Sequence, residues 1–129
     1  MALNHARAAE KIHLTSVAVP AARTSAVVKT DAFEAVQLVL RAGDEIANHS
    51  VPGYATIHCL EGLVLLRADE ELQLAAGDWL YLDRGQEHSV SALQDSSLLV
   101  TIMFEQTAHW PRYARKPRYR LSPTVSTSV

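Results

Sequence analysis

GDEIANHSVPGYATIHCLEG, residues 43–62, sets His49 and His58 in a run whose apolar spacing reads as a strand, a tight turn and a second strand. Histidine is the commonest metal ligand and the side chain that titrates nearest neutral pH, so a histidine beside a turn invites a functional reading. A histidine satisfied within the core or at the surface is the plainer alternative.

From Val27 onward the chain is a series of short Val-, Leu- and Ile-rich segments. Gly, Asp, Glu-Glu or Pro separate them about every ten residues, the rhythm of an all-β sandwich or barrel. The predicted strands are AVQLVLR (35–41), ATIHCL (55–60), LVLLRA (63–68), ELQLA (71–75), DWLYL (78–82), HSVSAL (88–93) and SLLVTIMF (97–104), with RTSAVVKT (23–30) as an extra edge strand. EG, DEE, AGD, DRGQ and QDS are turns short enough for antiparallel hairpins. DEELQL is read as a charged hairpin turn and GDEIA as a solvated loop between strands.

LVLL and SLLVTIMF are apolar at both parities, unlike a strand with one wet face. Their outer faces need cover from the N-terminal segment or a second subunit, and a homodimer is the commonest solution. The chain therefore divides into an N-terminal segment, 1–22, whose alanine-rich residues 2–11 are candidates for a short helix, a barrel over 23–104, and a Pro-containing tail, 105–129.

At 129 residues the chain fits one domain that needs no disulfide or structural metal for its stability. The single Cys59 has no intramolecular partner, and MALNHARAAEKIHL lacks the apolar run of a signal peptide, so a soluble, cytoplasmic protein is expected. No apolar run approaches the roughly 20 residues that span a bilayer. The net charge of −2 is uneven: residues 1–104 carry 7 basic and 13 acidic side chains, and 105–129 carry 5 and 1. The Arg/Tyr/Trp sequence of the tail has the elements of a nucleic-acid stacking segment. Contact with its own acidic body or with a partner subunit is the favoured expectation, since one short basic segment is weak support for nucleic acid.

The spacing around His49 forms a longer phrase. Gly43, His49, Val51, Ala55 and Gly62 are followed by Gly77, Asp83, Gly85, His88 and Ala92. Together they resemble the two cupin motifs, G-x5-H-x-H-x3-E-x6-G and G-x5-P-x-G-x2-H-x3-N, over residues 43–92. All four motif glycines and one histidine of each motif are in place, and the glycines fall where strands reverse and positive φ is needed. The resemblance implies an antiparallel double-stranded β-helix, or jelly-roll barrel, with a pocket between its sheets.

In metal-binding cupins the ligands are the two His and the Glu of the first motif and the His of the second. Those positions are His49, Val51, Ala55 and His88 here, so two of four donors survive. A catalytic transition-metal site normally keeps at least three. If 49, 51 and 55 face the pocket, strand alternation places Ile57 and Cys59 there too and turns His58 outward, unless a bulge near Pro52 and Gly53 reverses the parity. Val90, two residues beyond His88, completes the expected pocket.

The leading expectation is a dimeric cupin that binds a small organic molecule, anchored by His49 and His88. A metal-dependent dioxygenase or isomerase is the second. It would hold Fe, Mn, Ni or Zn weakly and recruit His58, Cys59 or the substrate as third donor. Metal-free acid/base chemistry of the sugar-epimerase type, with His49 or His88 as base and a tyrosine as acid, is the third.

Overall fold

Among residues 5–104, which the computed structural model describes, the apolar segments form nine antiparallel strands and no helix. They are β1 (Ser25–Lys29), β2 (Phe33–Leu40), β3 (Glu45–His49), β4 (Gly53–Glu61), β5 (Leu63–Arg67), β6 (Glu71–Ala75), β7 (Trp79–Leu82), β8 (His88–Ala92) and β9 (Ser96–Phe104). One sheet has the order β1-β2-β9-β4-β7 and the other β3-β8-β5-β6. This is a jelly-roll sandwich.

Eight strands fall on the predicted segments, and β3 is the exception. GDEIA is not wholly a solvated loop, because Glu45 and Ile46 pair with Ser91 and Val90 of β8. Only Ile46 of β3 is less than exposed, so the hydrophobic alternation that marks a strand is nearly missing. The strand forms because β8 offers it a backbone ladder.

β4 shows the alternation clearly. Ala55, Ile57 and Cys59 are buried, while Tyr54, Thr56 and His58 point to the opposite face. The inward residues of both sheets, including Leu40, Ile57, Cys59, Val64, Leu66, Leu74, Val90 and Leu98, form one core. Gly62, between β4 and β5, has φ 88°. A Cβ there would collide with the Ser96 side chain and the Asp95 carbonyl, so both conformation and space require glycine.

The expected helix over 2–11 does not form in the described part, 5–11. The Arg7 N–H donates to the Glu10 carboxylate and the Glu10 N–H to the Arg7 carbonyl, closing a turn in which Ala9 takes φ 63°. That left-handed residue ends any helical run. The segment then crosses the barrel as a strap. Gln37 donates to the Thr15 carbonyl at 2.7 Å, and Ser16 Oγ and the Val17 N–H donate to the Glu61 carboxylate at 2.7 and 2.8 Å. Arg41 donates to the carbonyls of Val17, Val19, Pro20 and Ala22. The bonds from Val17 and Ser16 hold the Glu61 carboxyl below its ordinary pKa, against a smaller opposing effect of burial. The strap supplies part of the outer cover that the two-sided strands need.

The basic tail, 105–129, lies outside the described residues. No helix among the described residues is long and apolar enough to cross a membrane.

Candidate functional site

A cavity of about 270 Å3 lies between the sheets, toward the end where β3 meets β8. A bulge builds its polar corner. Ile46 pairs with Val90 and His49 with His88, so β3 spends three residues where β8 spends two. The extra residue lets Ile46 and His49, an odd number apart, both reach the cavity wall.

The His49 and His88 rings lie 4.3 Å apart between centroids, tilted by 51°. Each hydrogen-bonds a carbonyl two residues earlier on its own chain: His49 Nδ1 to Ala47 O and His88 Nδ1 to Gln86 O, both at 3.0 Å. A carbonyl can only accept, so each Nδ1 carries a proton, and in the neutral form of either ring Nε2 is the acceptor. His88 is buried, and its pKa is lowered chiefly by that burial. The bond to Gln86 works the other way, and the neighbouring His49 adds to the lowering.

The wall holds His49, Val51, Ala55, Ile57, His88 and Val90, together with Val36, Leu38, Ile46, Leu98, Val100 and Ile102. The second six were missed at the sequence level. Ile46 was hidden by the loop reading of GDEIA, while the inward parity of β2 and β9 carried a signal for the others. Cys59 is not in the wall. It is fully buried in the filled core, its thiol donates to the Glu61 carbonyl at 3.4 Å, and burial raises its pKa. His58 lies on the outer face, beside Leu99 and Trp79 in register. Tyr54 and Tyr81 share that face, with ring centroids 6.5 Å apart, so neither reaches the cavity.

Many solved structures share this architecture. A cupin superfamily protein from Desulfitobacterium hafniense superposes with a TM-score of 0.67 and 14% identity, covering 81% of this chain and 100% of that one. A conserved Streptococcus pyogenes protein of unknown function gives 0.65 and 19%, covering 83% and 100%. The chain has the cupin fold. A further structure, a salicylate 1,2-dioxygenase from Pseudaminobacter salicylatoxidans, gives 0.53 and 22%, covering 55% of this chain and 21% of that one. No protein-family model matches the chain, and no curated protein matches it in sequence.

On this cupin barrel the four motif positions, His49, Val51, Ala55 and His88, all stand in the wall of one cavity. Two of them carry alkyl groups. Among the described residues no group of three His, Cys, Asp or Glu side chains is placed to hold a metal. The residues present therefore do not fit a three-donor metal centre. Neither His58, on the outer face, nor Cys59, turned to the Glu61 carbonyl, supplies the missing donor.

Proposed function

We propose that this cupin-fold protein binds a small, mostly apolar organic molecule between its sheets, with His49 and His88 as polar anchors. The observation that carries the reading is a cavity of about 270 Å3 whose wall is alkyl except for one imidazole pair. An apolar cavity of about 150 Å3 is enough to take benzene, and ligand sites pair such walls with a few placed polar groups. The metal-dependent reading lacks support for a third protein donor. Among the described residues the acid/base reading lacks support for its acid, since Tyr54 and Tyr81 face away from the cavity.

Naphthalene, followed by NMR at the methyl groups of Ile57 and Val90, tests the reading. Binding is expected in the parent protein. It should weaken at least tenfold in Val51→Trp, where a large side chain enters from a partly exposed position of the wall. Absence of binding to the parent, or equal binding to a folded Val51→Trp, would defeat the proposal.

We infer that two copies associate through the outer face of the five-stranded sheet. Trp79 and Tyr81 are 57% and 62% exposed there, beside Tyr54, and Arg84 sits 5.0 Å over the Tyr54 ring. Contiguous exposed aromatic surface of this kind marks association sites. Sedimentation should show a dimer at micromolar concentration and a monomer for the combined Trp79→Glu and Tyr81→Lys variant; a monomeric parent would refute the assignment.

A further inference from the structure

We infer that the imidazole pair selects neutral ligands that donate hydrogen bonds, best of all an apolar ring system carrying two adjacent hydroxyl groups. This rests on the cavity being the ligand site and goes further in naming the chemistry that site accepts.

The two rings are fixed in the same tautomer by the same local device. Each Nδ1 proton is committed to a backbone carbonyl, at 3.0 Å in both cases. Neither Nε2 has a protein hydrogen-bond partner among the described residues. Pairing of His49 with His88 across β3 and β8 sets the two rings side by side in the cavity wall, with centroids 4.3 Å apart. Among the described residues no other polar side chain belongs to the cavity wall. The site therefore offers two acceptors and no donor.

A ligand carbonyl, ether or carboxylate would face two nitrogen lone pairs with nothing to satisfy its own oxygen, and would lose its water on entry. A hydroxyl reverses that balance, because its proton meets one Nε2. A second hydroxyl on the adjacent carbon reaches the other ring. Burial of His88 and the close approach of His49 both oppose an imidazolium that would favour an anion instead.

The test has two arms, both at pH 8 with a metal chelator present. In the first, long-range proton–nitrogen NMR correlations of the imidazoles should report Nδ1–H for both rings; Nε2–H on either would overturn the inference. In the second, naphthalene, 2-naphthol, 2,3-dihydroxynaphthalene and 2-naphthoate are titrated as one apolar body with four polar edges. Each hydroxyl should tighten binding about tenfold, the value of one net hydrogen bond. The carboxylate should bind no better than naphthalene. His49→Phe and His88→Phe should each keep naphthalene binding, which shows that the variants remain folded, and should each lose one of the two tenfold hydroxyl gains. Tightest binding by 2-naphthoate, or naphthalene binding with no gain from hydroxyls, would overturn this inference while the cavity reading stands. Failure of naphthalene itself would remove both.

Discussion

At one end of the barrel the sheets close on Leu40, Cys59, Val64 and Leu66, all 7% exposed or less; at the other a cavity opens around His49, Val51, Ala55 and His88. Facing sheets lie about 10 Å apart, and the short side chains of Val36, Ala55, Val90 and Val100 leave part of that gap open beside the bulged β3. The closed end is also tied from outside by the strap on Glu61 and Arg41. Dense packing and the strap predict that stability is concentrated at the closed end.

The largest expected effect lies in the turn at the closed end. Gly62→Ala must bring a Cβ against the Asp95 carbonyl and Ser96 backbone at φ 88°, so neither neighbour can step aside cheaply. A loss of at least about 3 kcal/mol is expected in urea melts. A loss below about 1 kcal/mol would mean that this corner is looser than the packing requires.

A matched pair compares the two ends directly. Leu66→Ala, at a position 1% exposed, should cost about 3 kcal/mol, whereas Val51→Ala in the cavity wall should cost less than about 1 kcal/mol, because space beside Val51 is already empty. Equal losses in denaturant unfolding would erase the proposed asymmetry.

The smallest effect concerns the strap and acid. The Glu61 carboxyl is held below its ordinary value of 4.5 in the folded chain, so its contribution is fully present above that pH and is lost as pH falls through the lower folded value. The protection of the Val17 N–H against hydrogen exchange, relative to an unstructured amide at the same pH, should fall across that window in the parent. Glu61→Gln should show no such acid step and should cost about 1 kcal/mol at neutral pH. An unchanged acid step in the variant would assign it to another group.

Much of the fold was legible because strands of alternating or two-sided apolar residues, punctuated by glycine, leave a direct mark on sequence. The spacing of Gly43, His49, Gly62, Gly77, Gly85 and His88 pointed to the cupin barrel, and all four glycines take positive φ. β3 was not legible, since EIANH has one apolar residue facing inward and its pairing lies with β8, some forty residues away. Cys59 faces inward as alternation predicts, but in the filled core and not in the cavity wall. Alternation fixes which face a side chain takes, but whether that face is filled or hollow depends on residues such as Leu40, Val64 and Leu66, which come from other strands.

By itself the sequence determined the strands, the glycine turns and the loss of two donors at positions 51 and 55. Those are local properties, written in residue type and period. The tertiary structure alone decided that the β3 bulge would bring His49 against His88 and that both rings would give their Nδ1 protons to the backbone, while His58 faces outward as strand alternation predicts. Register between distant strands settles such questions, and a shift of one residue reverses every side chain.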